Sequence, residues 1–167
     1  MRKIMIVFGA ALFLALWIGV AVGASQTTVA ARGGEQFVPN QLIQSTFGFS
    51  PGAINVSQGQ TVTWVDRDVA DESHTVTVVD QSDLPTTVEE VFECGAPGEP
   101  CGDALAALFG GNTQVVDVGA PGLDTPGDSL LFFDGGSISA KVTAPAGTTL
   151  YYLCAIHPWM QGSITVR

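Results

Sequence analysis

Tyr151-Tyr152-Leu153-Cys154-Ala155-Ile156-His157-Pro158-Trp159-Met160-Gln161-Gly162 sets a thiol, an imidazole and a thioether three residues apart on one short stretch. Residues 149–154 before it and 163–166 after it have strand character, so the stretch reads as the loop closing a hairpin. Thiolate and thioether sulfurs are soft donors and imidazole is borderline, a set that suits copper in both of its common oxidation states. A fourth donor has to come from elsewhere. The candidate is His74, in Glu72-Ser73-His74-Thr75-Val76-Thr77-Val78, where Thr/Val alternation marks a strand. His74 and His157 are the two histidines of the chain, and Met160 is the only methionine outside the first five residues. His74, Cys154, His157 and Met160 are therefore the candidate ligands of one copper ion cycling between Cu(I) and Cu(II). Zinc fits less well, because its structural sites favour several Cys or His ligands and not Met.

Working outward, the chain reads as short strands separated by turns, which implies an all-β sandwich. Residues 42–49 are followed by a Pro51-Gly52 turn, then residues 53–56, a Gln58-Gly59 turn, and Thr61-Val62-Thr63-Trp64-Val65-Asp66 in polar and apolar alternation. Trp64 falls on the inward face as a core aromatic. Regularity stops after Val79 and returns with residues 129–133 and 137–143, followed by a Pro145-Ala146-Gly147 turn. The intervening residues, about 80–128, read as one long insertion rich in Gly and Pro. Within it Asp103-Ala104-Leu105-Ala106-Ala107-Leu108-Phe109 is helix-like, with Asp103 at the cap position. The acids Asp80, Asp83, Glu89, Glu90 and Glu93 lack regular ligand spacing and read as a solvated face.

The three cysteines divide unequally. Cys94 and Cys101 bracket a Gly/Pro-rich turn and are expected to form a local disulfide that pins the insertion. Cys154 is left over, and an unpaired thiol in an oxidising compartment is accounted for by metal ligation, the alternatives being an inert buried thiol or an intermolecular disulfide.

The N-terminus points to that compartment. Met1-Arg2-Lys3 is basic, residues 4–22 are an uncharged apolar run, and Val22-Gly23-Ala24 is a small-residue cleavage pattern. Residues 1–24 are read as a secretory signal peptide or an uncleaved membrane anchor, the run being only just long enough to span a bilayer. Either reading places the rest outside the cytoplasm, in the periplasm or extracellular space. Residues 25–36 are small and polar and are expected to be a flexible tether, with the domain spanning residues 37–167. At 167 residues and 46% hydrophobic composition, one domain with a full core is the expectation. Loss of residues 1–24 takes Arg2 and Lys3 with it and moves the formal charge from −10 to −12. Nucleic acid is a poor partner for that charge, whereas it fits equally a redox partner with a basic docking surface and an acidic surface that only keeps the protein soluble.

The arrangement resembles the cupredoxins, the small blue copper proteins, and the loop is most similar to that of amicyanin and plastocyanin-like members. The resemblance rests on Phe49-Ser50-Pro51, Gly59-Gln60-Thr61-Val62-Thr63-Trp64, Ser73-His74-Thr75-Val76 and Tyr152 to Gly162, and covers roughly residues 47–167 apart from the insertion. It implies a Greek-key β-sandwich in which His74 Nδ1, Cys154 Sγ and His157 Nδ1 are equatorial ligands and Met160 Sδ is a long axial one. It also implies that a backbone N–H near His74, that of Thr75, hydrogen-bonds the Cys154 sulfur, and that the His157 ring edge emerges through an apolar patch as the electron port. The chain departs from the pattern in a longer, more acidic link from Trp64 to His74, with Ser73 where Pro is frequent, and in the length of the insertion. The implied function is an exported electron carrier with no substrate chemistry of its own. The alternatives are a copper-binding or delivery protein with a more open site, and a nitrosocyanin-like red copper centre in which Glu72 or Asp71 would coordinate.

Overall fold

The computed structural model describes residues 27–70 and 72–167. The expected leader, residues 1–24, lies outside the described residues. Two sheets face each other. The first contains β1 (Thr27–Arg32), β4 (Gly48–Ser50), β6 (Thr61–Asp66) and β10 (Ser137–Lys141) in the order β10-β6-β1-β4. The second contains β5 (Ala53–Val56), β7 (His74–Val79), β8 (Val115–Val116), β9 (Ser129–Phe132), β11 (Thr149–Leu153) and β12 (Gln161–Val166) in the order β5-β12-β11-β7-β9-β8. Apart from β8–β9 and β11–β12, neighbours within these two sheets are not consecutive in the chain, and the connections β4–β5, β5–β6, β6–β7, β9–β10 and β10–β11 cross between the sheets, so the architecture is an all-β Greek-key sandwich. A small hairpin of β2 (Glu35–Val38) and β3 (Leu42–Ser45) stands apart from both sheets.

Strand periodicity sets the core. In β6 the even positions Val62, Trp64 and Asp66 are buried while the odd ones are half-exposed, the period-two signature of a strand with one face inward. Trp64 meets Tyr152 edge-on across the sandwich, ring centroids 5.9 Å apart, a geometry that aromatic quadrupoles favour. β7 differs, being buried at all six positions. Its inner face lines the sandwich core with Val76 and Val78, and its outer face is covered by the insertion.

The tether expectation for residues 25–36 is corrected at β1. Val29, Ala30 and Ala31 are buried, and β1 pairs parallel with β6 and antiparallel with β4. Small side chains let it lie in the middle of a sheet, a placement no local periodicity announces. Residues 42–49, read as one strand, are two: β3 belongs to the hairpin and β4 to the first sheet.

Between β7 and β9, residues 80–128 form a compact flap. A 3-10 turn at Gln81–Asp83 leads to α1 (Val88–Glu93) and α2 (Pro100–Gly110), which the Cys94–Cys101 disulfide ties together. α1 is started by a capping box: Thr87 Oγ1 accepts from Glu90 N–H at 3.2 Å, and the Glu90 carboxylate accepts from Thr87 N–H at 3.1 Å. α2 begins earlier than the sequence pattern indicated, with Pro100 in its first turn and Glu99 at the N-cap. Asp103 caps no helix; its carboxylate accepts from Gly98 N–H at 2.9 Å and closes the turn inside the disulfide loop. Cys94, Cys101 and Ala104 pack with Val79, Leu153 and Ala155, so the flap is seated on the end of β7 far from His74 and on the two residues that flank Cys154. Its return is fixed by the buried Asp128, which accepts from the N–H groups of Val118, Asp124 and Thr125 at 2.7, 2.9 and 3.0 Å. No helix among the described residues is long and apolar enough to cross a membrane.

Candidate metal centre

His74 opens β7, and Cys154 follows directly on β11, the neighbouring antiparallel strand. The loop from Cys154 to Met160 joins β11 to β12 and is wound by three backbone bonds. Cys154 N–H donates to Met160 O at 2.9 Å, His157 N–H to Cys154 O at 3.1 Å, and Met160 N–H to His157 O at 2.8 Å. These turns face Cys154 and His157 to the same side. Just beyond, Tyr152 pairs with Gly162, where a Cβ would overlap the Tyr152 ring; glycine is what lets β12 close against β11 there.

Three of the four expected ligand residues converge. His74, Cys154 and His157 are buried and offer donor atoms that all lie within 4.8 Å of one another. Cys154 Sγ is 3.9 Å from His74 Nδ1 and 3.7 Å from His157 Nδ1. A first-row metal bonded at about 2.3 Å to sulfur and about 2.0–2.1 Å to imidazole nitrogen, with trigonal angles, would hold those atoms about 3.7–3.8 Å apart. The separations fit such an ion, and the donor set of one thiolate and two imidazoles fits copper. Met160 is fully buried in the same core cluster as Cys154.

Both imidazoles are held by rings. Phe47 lies 5.4 Å from His74 and 4.6 Å from His157, Phe132 5.7 Å from His74, and Trp159 5.4 Å from His157. The sulfur receives the Thr75 N–H at 3.3 Å, as the resemblance implied, and Thr75 Oγ1 in turn accepts from Ala155 N–H at 2.6 Å. Thr75 therefore ties the first strand of the site to the ligand loop through two bonds. Burial pushes the Cys154 thiol up, but hydrogen bonds with His157, His74 and Thr75 outweigh it and bring its pKa to about 6. A thiol that ionises there is a ready metal ligand at neutral pH.

One participant was not named from the sequence. His74 Nε2 lies 2.5 Å from Asp68 Oδ2, and both side chains are fully buried. The carboxylate accepts the Nε2 proton, which leaves the Nδ1 lone pair facing Cys154. Asp68 is itself fixed: its Oδ1 accepts from Ala70 N–H at 2.8 Å, and its own N–H donates to Asp66 Oδ1 at 2.9 Å. Asp66 is buried and also accepts from Gly135 N–H at 2.7 Å, so the acidic link before His74 is anchored to the turn before β10. Burial raises the Asp68 carboxyl, but bonds from Ala70 and His74 outweigh it and hold it below the usual carboxylate range. Burial lowers the His74 pKa, yet Cys154 and Asp68 raise it on balance, so a proton competes with a metal for this ring. The signal was present in the unusual acidity of residues 65–73, but only the fold shows which of those acids reaches the ring. Glu72 belongs to neither cluster of potential ligands among the described residues, and Asp71 lies outside them. Asp68 sits on the ring nitrogen opposite the one facing the thiol.

The surroundings of the His157 ring are mostly closed. His157 is 6% exposed, enclosed by Phe47 and Trp159, and the surface beside it is presented by Trp159 at 41%.

No family model and no curated protein matches the chain. Among solved structures it is similar to a purple cupredoxin from Nitrosopumilus maritimus (17% identity, 84% of this chain and 99% of that one, TM-score 0.46). It is also similar to a dithionite-reduced auracyanin from Roseiflexus castenholzii (22% identity, 87% and 99%, TM-score 0.47). A third similar structure is the oxidised plastocyanin of Dryopteris crassirhizoma (25% identity, 84% and 100%, TM-score 0.42). At these values the geometry of the centre, and not the likeness, carries the functional reading.

Proposed function

We propose that this chain is a cupredoxin: an exported type 1 copper protein that carries single electrons between partner proteins. The observation that carries the reading is the buried Cys154 sulfur with two imidazole Nδ1 atoms at 3.7 and 3.9 Å. His74, Cys154 and His157 would hold the ion, and Met160, the only other soft donor near them in sequence, would be the axial ligand. A bound copper ion supplies a one-electron couple.

The chain's own residues account for the rest. Cys154 and His74 are fully buried, so water is kept from the sulfur and from the first imidazole. Asp68 holds the His74 tautomer, and Thr75 holds the sulfur. Ligands fixed by paired strands and by their own hydrogen bonds move little when the charge of the ion changes, and little movement is what rapid electron transfer requires. The same burial speaks against a delivery protein, whose ligands must be reached by the acceptor of the metal. A carboxylate-ligated red centre is disfavoured because the carboxylate that reaches His74 does so on Nε2. Export rests on the apolar leader, residues 4–22.

Reconstitution with Cu(II), followed by visible and electron paramagnetic resonance spectra, tests the assignment. An intense sulfur-to-copper charge-transfer band with narrow copper hyperfine splitting is expected. A colourless, easily stripped site would refute the carrier and favour delivery.

A further inference from the structure

Between the insertion and the ligand loop lies an open groove of about 520 Å³. Phe92 of α1 and Phe109 of α2 line one side; Ile156, Pro158 and Trp159 of the ligand loop line the other. The aromatics are not core residues: Phe92 is 79% exposed and Phe109 55%. Two phenylalanines on helices tied together by a disulfide thus leave more than half of their surface facing outward. Exposed aromatics clustered in a concavity are the composition of a protein-binding centre.

Charge names the occupant. No Lys or Arg occurs between Arg67 and Lys141, and every charged side chain of residues 80–128 is acidic. Glu89 and Glu93 are exposed on the same short helix as Phe92. The ligand loop itself, residues 154–160, carries no acid, Lys or Arg. An apolar groove is thus set in a strongly acidic flap. A second copy of this chain would bring the same negative charge, and an anionic bilayer would be repelled, whereas a surface rimmed by Lys and Arg is drawn in.

We propose that this groove is the docking surface for a redox protein whose contact face is apolar at its centre and basic at its rim. The inference rests on the copper reading and names the face through which the electron leaves. Trp159 forms part of the groove and lies 5.4 Å from His157. A partner seated against Phe92 and Phe109 therefore stands one ring away from a ligand that is itself almost covered.

Mitochondrial cytochrome c, a haem protein with lysines around its exposed haem edge, serves as the probe. Electron transfer from the reduced, copper-loaded full chain to ferricytochrome c is followed by stopped flow as ionic strength is raised. The F92S/F109S variant is expected to lower the second-order rate roughly tenfold at every ionic strength, as loss of an aromatic anchor pair would. The E89Q/E93Q variant should lower it about threefold at low salt and converge with wild type at high salt, the mark of lost steering. Glu90 is left alone because it caps α1. Both variants should keep the wild-type spectrum and potential, and the aromatic variant its rate with ferricyanide. Wild-type rates with cytochrome c in both variants would overturn the proposal. So would sedimentation showing that wild type dimerises through Phe92 and Phe109. A wild-type chain that reduces neither oxidant overturns the copper reading and this inference together.

Discussion

Replacing Asp68 by Asn removes one buried negative charge and leaves a single acceptor oxygen, which can keep the bond from His74 Nε2–H only by giving up the one from Ala70 N–H, because the two donors sit on different carboxylate oxygens. The carboxylate touches the outer nitrogen of the imidazole at 2.5 Å, and an ion bonded to the inner nitrogen at the usual distance would stand about 6 Å from it. Two unit charges about 6 Å apart interact by roughly 3 kcal/mol at an effective dielectric of about 20. For a one-electron couple, where a tenfold change in equilibrium is 59 mV, that is about 120 mV. The oxidised state carries the additional positive charge, so the carboxylate favours it and its removal raises the potential. The Asn amide keeps part of the interaction through its dipole, so the expected rise is about 50–120 mV. Voltammetry on the copper-loaded wild type and Asp68→Asn measures it, and the absorption spectrum, governed by the sulfur, should stay in place. A change below about 20 mV in a variant with intact colour would show that the buried carboxylate is screened, and would sink the electrostatic argument.

Cys154→Ser should abolish the intense visible band, because the transition originates on sulfur; retained colour in the copper-loaded variant would refute the ligand assignment. Cys94→Ser with Cys101→Ser should leave the copper spectrum intact and lower stability by about 2 kcal/mol, the loop-entropy figure for so short a closed loop. Denaturant titration reads that loss, and a folded double variant without the copper spectrum would contradict the division of the cysteines. Met160→Gln should lower the potential, since an amide oxygen is a harder donor that favours Cu(II), while binding and strong colour persist. An unchanged potential would make Met160 a bystander, and complete loss of copper would make it an indispensable anchor.

The donor chemistry and much of the strand pattern could be read directly. Alternation in residues 61–66, Thr/Val patterning around His74 and the hairpin around Cys154 are properties of i and i+2, and they reappear as β6, β7, β11 and β12. With two histidines and one body methionine in the chain, the candidate ligands were nearly determined by elimination. α1 was missed although Thr87-Val88-Glu89-Glu90 carries the capping-box spacing, because the helix is short and no apolar periodicity follows the cap. The tertiary structure decided what depends on partners distant in sequence. β1 takes its place between β4 and β6 because they supply hydrogen bonds to both its edges, which no pattern within its own six residues signals. Asp68 was one acid among several until the fold turned it onto His74, and the 6% exposure left to His157 beside Phe47 and Trp159 is likewise set by the fold. Residue type limits what a side chain can do, but burial, charge proximity and access are set by neighbours that folding brings from elsewhere in the chain, and a local window of sequence does not contain them.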